Sequence, residues 1–428
     1  MSRKDLHAEA VRVLRANDRG GWTVPSETQY PHQWNWDSGF AAIGWATFDP
    51  ARAAREVESL LLGRWRDGML PHLRYDRAAS QDYFPGPDWW PGAAERVAIP
   101  GTLTSGISNP PVAAVAACRV CGRLPKSDRA GYWSHVQPAL AAWLRWFLVC
   151  RRPRGWGLPA TLHPWETGWD NSPRWQMAGA AAMRPARAYR RLDVGRVPSA
   201  QRPQDHDYDT YLALAELLDG EGYDLGRYLA RSPFAVSDVV LDAIWYRAAA
   251  EMNEVSVDLG LDAVFGEDEL AEFAAAFQTA HWDEEAGTYL DFDLVSGRRV
   301  RVRTAAGAAA LFSGLASPAR AEAVWKRAAD SAAAPIPTVD PREPSFEPRR
   351  YWRGPVWVNV NWLAAEGLER CGLAGAASGL RRATLEMVEA AGPAEYFDAL
   401  EGLPLGVPGF TWTAALVLDM LESERGGG

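Results

Sequence analysis

Residues 355–391 read PVWVNVNWLAAEGLERCGLAGAASGLRRATLEMVEAA. Apolar residues recur every three to four positions on both sides of a short break at Gly372 and Leu373. That period is one face of a helix repeated turn after turn. It predicts a helix over 355–371 and a second over 374–391, a helical pair. The same reading outward along the chain predicts helices over 3–17, 38–48, 50–66, 111–122, 130–150, 173–191, 207–219, 234–252, 267–280, 304–315, 318–331 and 410–423. Helix starts are expected at Asp49-Pro50, Ser127, Ser172-Pro173 and Ser317-Pro318, where a capping side chain precedes or meets a proline or acidic first turn. The first helix should bury Leu6, Ala10, Val13 and Leu14. Strand signals are few: residues 288–303 alternate around a Ser-Gly turn and suggest a hairpin.

About a dozen helices in pairs, with no linker of disordered composition, make the expected fold class all-α. The expected architecture is a single (α/α)6 barrel over residues 1–428, with two concentric rings and a pocket at one mouth. Two long irregular stretches, 71–110 and 332–354, are rich in proline and aromatics. Loops of that length in a compact domain usually serve function, so both are expected to cover the pocket. No fixed-period repeat is visible in the sequence.

Composition narrows the function. The 428 residues carry a net charge of −9 with no basic stripe, which argues against nucleic acid as a partner. No apolar run reaches membrane-spanning length, so no membrane partner is expected. The N-terminus lacks the apolar core of a signal peptide, so a cytoplasmic location is expected. The 4 cysteines fit a reducing compartment. Cys118 and Cys121 form a C-x-x-C, but no second pair or nearby His pair accompanies it, and the surrounding residues read as a buried helix. The 7 histidines are scattered, with His32, His72 and His163 each beside a proline. No nucleophile elbow, phosphate loop or metal motif is present, so neither a cofactor nor a metal is expected. Oligomeric state is left open, a homo-oligomer included.

Tryptophan is the unusual residue, with 21 copies. Many sit in Gly- and Pro-rich connections: QWNWDSGF, FPGPDWWPG, WETGWDNSPRW and YWRGPVW. Indoles gathered in loops suit a flat-walled pocket that stacks on apolar faces and still donates a hydrogen bond, as a sugar requires. Four carboxylates lie among these aromatics: Asp37, Glu166, Asp170 and Glu395. Glycoside hydrolysis needs such a setting, with one carboxylic acid to protonate the leaving oxygen and one carboxylate to activate water or attack. Each carboxylate also has a plainer reading. Asp37 could cap the helix near Ser38, Asp170 could assist the Ser172-Pro173 cap, and Glu395 could be a solvated loop residue. The four together, each beside Trp or Tyr, favour chemistry.

The stretches PHQWNWDSGF, DGMLPH, ETGWDNSPRW, YWRGPVWVNVNW and AEYFDALEGLPLGVPGFTWTAAL, in that order, resemble glycoside hydrolase family 63 in its bacterial mannosylglycerate and glucosylglycerate hydrolase branch. The matches run from about residue 29 to residue 416. The resemblance implies an (α/α)6 barrel and inverting hydrolysis of a small α-linked glycosylglycerate to hexose and glycerate. It implies Asp170 as general acid and Glu395 as general base. It places Asp37, Tyr351, Trp352 and Trp357 around the sugar, with Tyr30 and Trp34 toward the leaving group. Trp36, Trp169 and Arg353 of the same motifs join the substrate-binding set. Arg202 and Tyr208 stand at the spacing with which this branch holds the glycerate carboxylate, a task suited to an Arg fork plus a hydroxyl. There are departures. A loop that often reads SQPP in the family is SNPP here, with the shorter Asn109 in the glutamine's place. The late Pro-x-T-G is replaced within FDALEGLPLG. Glu166 is expected to support rather than react. A helix end at Ser172 would favour ionised Asp170, so the acid role requires Trp169 and its aromatic neighbours to desolvate that carboxyl. The alternatives are a hydrolase of neutral α-linked disaccharides or oligosaccharides, and a sugar-binding module without catalysis.

Overall fold

The first helix buries Leu6, Ala10, Val13 and Leu14 and leaves its other faces wet, as the spacing predicts. The computed structural model of the chain describes residues 2–79, 83–330 and 335–426. Its α-helices are α1 (Arg3–Ala16), α2 (Asn35–Ala46), α3 (Pro50–Leu61), α4 (Val112–Arg123), α5 (Lys126–Cys150), α6 (Ala178–Ala181), α7 (Asp205–Gly220), α8 (Leu225–Leu229), α9 (Val239–Asp258), α10 (Glu267–His281), α11 (Ala306–Ala310), α12 (Pro318–Ala329), α13 (Val358–Arg370), α14 (Ala374–Ala391) and α15 (Thr411–Gly426).

One set of helices closes on itself. α2 packs on α4, α4 on α9, α9 on α11, α11 on α13, α13 on α15, and α15 returns to α2. Six more lie outside this ring, α1 on α15, α3 on α2 and α4, α5 on α4 and α9, α10 on α9, α12 on α11, and α14 on α13 and α15, while the short α6 and α8 and the longer α7 fall between α5 and α9 in the chain. The chain therefore alternates between an outer and an inner helix. Sequence separates the two kinds. Every residue of α2 is buried, as is the run Val358–Ala365 of α13. The outer α12 buries only Ala321 and Val324. A helix apolar all round belongs inside, and a one-faced helix belongs on the rim. Two glycines let the inner ring close tightly. A Cβ on Gly44 would lie 2.4 Å from Ala415 Cα of α15, and one on Gly39 would lie 2.8 Å from Ala113 N of α4.

The caps at Asp49 and Ser317 form as read, each side chain accepting a first-turn backbone N–H. Ser127 does not cap. α5 starts one residue earlier, behind Pro125, and the Ser127 hydroxyl turns to Asp128 instead. The helix predicted over 173–191 is absent. Ser172 caps only a three-residue 3-10 turn, Pro173–Trp175, and α6 is one short helix beyond it. Pro185 would remove a hydrogen bond from the middle of the predicted helix. Arg174 is also drawn aside into a buried ion pair with Asp291 at 2.9 Å.

The strands are short: β1 (Gln33–Trp34), β2 (Leu73–Arg74), β3 (Val236–Ser237), β4 (Trp282–Asp283), β5 (Thr288–Tyr289), β6 (Phe292–Asp293), β7 (Arg298–Arg299), β8 (Ala394–Phe397) and β9 (Pro404–Pro408). The hairpin predicted over 288–303 splits in two. β5 pairs back with β4, and only β6 and β7 form the arm around the Ser-Gly turn. The hairpin β8–β9 lies in a stretch, between the helices expected over 374–391 and 410–423, that sequence reading left as loop. Cys118 and Cys121 are buried free thiols on α4. Among the described residues no helix is long and apolar enough to cross a membrane, and no His/Cys/Asp/Glu cluster could hold a metal ion.

Candidate active site

Glu395 sits on β8 at a register shift in its pairing with β9. Such a bulge re-aims a side chain. Opposite it, Gly406 takes a φ of +70°, and a Cβ there would lie 2.3 Å from Glu395 Oε2. The carboxylate thus occupies space that only glycine leaves free. Val407 N–H donates to Oε2 at 3.2 Å, and the Tyr30 hydroxyl donates to Oε1 at 2.7 Å. Arg202 reaches Oε1 at 3.5 Å and donates to the Tyr30 oxygen at 2.8 Å. Its Nε is held by Asp193 at 3.2 Å. Arg202 is 4 % exposed, so it is no surface residue of its loop.

Asp170 is presented by a chain of small turns. His163 accepts from Trp165 N–H and opens the 3-10 turn Pro164–Thr167, which Gly168 ends at φ +75°. Thr167 Oγ1 accepts from Trp169 N–H, and Asn171 Oδ1 accepts from Trp352 N–H, so the loop is pinned on both sides of the acid. Glu166 is spent on structure. It pairs with buried Arg151 at 2.8 Å and accepts from the Leu162 and Ser108 amides. Its support for the site is therefore mechanical.

Burial pushes the Asp170 carboxyl up to about 7, against the pull of Arg202 and its own backbone amide, with the Glu395 charge adding to the rise. The sequence-level tension resolves in favour of desolvation, because the helical segment behind Ser172 is only one short turn. Burial also raises Glu395, which Arg202, the Tyr30 hydroxyl and the Val407 amide hold back. Asp37 does not cap a helix beginning at Ser38. α2 starts at Asn35 and Asp37 lies in its first turn, facing the cavity. Burial drives its carboxyl well above the ordinary range, with Glu395 and Asp170 adding like-charge pressure.

All three carboxyls line one cavity with about 780 Å³ of empty space, open solvent at its mouth included. Of the predicted binding residues, Tyr30, Trp34, Trp36, Asn109, Arg202, Tyr208, Tyr351 and Trp352 also line it. Trp357 and Trp169 stand behind the wall and stack on Trp352, at 3.8 and 5.4 Å between ring centroids. Arg353 is also absent from the lining, and Glu347 holds its guanidinium at 2.6 Å. Tyr351 adopts a positive φ of +39°, a strained conformation of the kind found at functional sites. Sequence reading missed His72, Tyr83, Trp165, Phe410 and Trp412, which line the cavity too. Trp165 and Trp412 lie inside quoted motifs and could have been singled out by that position. His72 likewise closes the quoted stretch DGMLPH, whereas Tyr83 carried only its place in the long 71–110 loop.

The lining contains buried polar atoms without protein partners. The indole nitrogens of Trp36, Trp352 and Trp412 and the Asn109 Oδ1 are all in this state, while Asn109 Nδ2 donates to the Trp165 carbonyl at 3.1 Å. Buried donors and acceptors left unpaired are costly. Three N–H groups and a carbonyl oxygen around stacked rings form a template for ligand hydroxyls.

The model of the mannosylglycerate hydrolase MGH1-like glycoside hydrolase domain matches residues 30–413. A mannosylglycerate hydrolase from Thermus thermophilus is 41% identical to the chain, over 96% of the chain and 99% of that relative. The chain belongs to glycoside hydrolase family 63. The hydrolase is also 35% identical to a glucosylglycerate hydrolase from Mycolicibacterium hassiacum, over 97% of each chain. A crystal structure of a mannosylglycerate hydrolase from Thermus thermophilus, in complex with Tris and D-glycerate, superposes on the hydrolase with a TM-score of 0.89. It is 40% identical and covers 96% of this chain and 99% of that one.

Proposed function

We propose that this hydrolase cleaves a small α-linked glycosylglycerate, mannosylglycerate or glucosylglycerate, to hexose and glycerate with inversion at the anomeric carbon. The observation that carries the reading is the pairing of Asp170 and Glu395 across one aromatic cavity in unlike surroundings. Asp170, raised to about 7, keeps a proton to give. Glu395, clamped by an arginine, a tyrosine hydroxyl and an amide, is the group better kept charged.

In the proposed reaction, the Asp170 proton passes to the glycosidic oxygen as the bond to the anomeric carbon breaks. Glu395 takes a proton from water, whose oxygen attacks the opposite face of the oxocarbenium-like centre. Asp37 faces that centre among the indoles and holds sugar hydroxyls. Trp36, Trp352 and Trp412 present their free N–H groups to the same ring, with Trp357 and Trp169 as backing. Tyr30 and Trp34 face the leaving group. Arg202 and Tyr208 receive its carboxylate, a cation and a hydroxyl suited to an acid. The reaction draws on no cofactor.

The closed inner ring and its outer partners support an (α/α)6 barrel as the architecture, with residues 1–428 as one domain. Loops 71–110 and 332–354 then cover the mouth. Tyr83, Pro85, Tyr351 and Trp352 in the cavity lining support this, while residues 80–82 and 332–334 lie outside the described residues. Four free thiols among the described residues fit a cytoplasmic enzyme.

The test is hexose release from both glycosylglycerates, with trehalose and maltose as neutral comparisons. Turnover of a glycosylglycerate that Asp170→Asn and Glu395→Gln each abolish is expected. Preference for the neutral disaccharides would overturn the substrate, and substantial turnover by either variant would overturn the assigned roles.

A further inference from the structure

Two aromatic clusters line the cavity. One holds Trp36, Trp352 and Trp412, with Trp357 behind them. The other joins His72, Trp165 and Tyr208. The His72 ring lies parallel to Trp165, at 8° and 6.4 Å, and Trp165 meets Tyr208 at 6.3 Å. Among the described residues no ring contact links the two. The loop that carries Asp170 serves both clusters, giving Trp165 to the second and Trp169 to the back of the first. The bond that Asp170 protonates therefore lies at their seam. With the sugar on the indole cluster, the leaving group faces His72, Trp165 and Tyr208.

His72 is fixed on every side but one. Its backbone N–H donates to Ile107 O at 2.7 Å, and its carbonyl accepts from Asn35 N–H, the first residue of α2, at 2.9 Å. Its Nδ1 lies 2.8 Å from Ser105 Oγ, which also accepts from Leu73 N–H at 3.2 Å. Ser105 Oγ makes no other hydrogen bond among the described residues, so Nδ1 is the one acceptor there for its proton. The ring proton then sits on Nε2. His72 is partly exposed and lines the cavity, and Nε2 is the ring nitrogen left for a ligand.

We infer that His72 is a specificity residue that donates Nε2–H to an oxygen of the leaving group, with Ser105 as the positioning residue that fixes the tautomer. This rests on the glycosylglycerate reading above. Burial holds His72 neutral, its pKa pushed down to about 3. A neutral donor suits this place, because a second cation near Asp170 would favour its ionised form and disarm the acid.

His72→Phe keeps a ring against Trp165 and removes only the donor. The assay compares kcat and KM of wild type and variant on the better glycosylglycerate and on the matching methyl α-glycoside, whose leaving group has no second oxygen. The loss in kcat/KM should be about tenfold greater on the glycosylglycerate, carried by KM, the scale of one hydrogen bond to a polar ligand atom. His72→Gln, which restores an N–H, should recover part of the gap, and Ser105→Ala should open a smaller one. Equal losses on the two substrates, or no gap in either the His72→Phe or the Ser105→Ala enzyme, would overturn the inference while leaving the substrate reading intact. A wild-type enzyme that turns over neither glycosylglycerate would overturn both.

Discussion

Gly406 makes the position of the proposed base testable without touching a charged group. In Gly406→Ala the new methyl carbon would lie 2.3 Å from Glu395 Oε2, 2.7 Å from Glu395 Cβ and 2.8 Å from Tyr396 Cε1. Ordinary contact begins near 3.5 Å, so the carboxylate must retreat by about 1 Å. Its anchors are the Val407 amide of the same hairpin and Tyr30, and neither can follow without breaking other bonds. Misplacing a reacting group by about 1 Å costs about 100-fold, or about 2.7 kcal/mol in the barrier. The left-handed φ of +70° adds about 1–2 kcal/mol of folding cost for any residue but glycine. Gly402→Ala supplies the control. It lies in the loop of the same hairpin at φ +66° with nothing within 4 Å of its Cβ, so it carries the backbone strain without the clash. Both variants should lose similar stability by denaturant unfolding. Only Gly406→Ala should lose kcat, by about 100-fold in hexose release. A folded Gly406→Ala enzyme with kcat near wild type, or a Gly402→Ala enzyme equally impaired, would refute this placement of the base.

Three further outcomes follow from the same geometry. The kcat/KM profile should be bell-shaped. Asp170 must be protonated, so activity falls as pH rises through about 7, and Glu395 must be ionised, so activity falls as pH drops through a value above the usual glutamate range. In Arg202→Ala both limbs should move to higher pH, because the guanidinium lowers both carboxyls, and KM for a glycosylglycerate should rise. A stationary profile would separate Arg202 from the carboxyl pair. Glu166→Gln should strip buried Arg151 of its counter-charge and cost about 3–5 kcal/mol in urea unfolding. An undiminished unfolding free energy would show that this pair does not hold the loop.

Much of the helical framework was legible because helix faces repeat locally. Leu6, Ala10, Val13 and Leu14 named their own buried stripe, and the pair around Gly372 and Leu373 appears as α13 and α14. The error over 173–191 has the same root. An alanine-rich period looks helical, but Pro185 and the distant partner of Arg174 outweigh propensity, and Asp291 cannot be found from the local pattern. The hairpin that carries Glu395 was invisible because its register depends on Gly406 and on a bulge, and neither leaves a periodic trace. Among the site residues, the motifs gave Asp170, Glu395 and Asp37 their place in one cavity. They did not give the contact that ties Arg202 through Tyr30 to Glu395, which joins three distant segments. Nor did they show Glu347 pairing with Arg353, since position in a motif says nothing of a partner outside it. His72 was passed over although it ends the quoted stretch DGMLPH, because a lone histidine shows no partner until Ser105 and Trp165 are seen around it.

The central claim is that Asp170 and Glu395 act on opposite faces of the anomeric carbon of an α-linked glycosylglycerate. Proton NMR of the first minutes of hydrolysis, before mutarotation, reads it directly. The β-anomer of the hexose should appear first and decay toward the equilibrium mixture. Initial release of the α-anomer would mean retention, and would contradict the roles assigned to the two carboxyls.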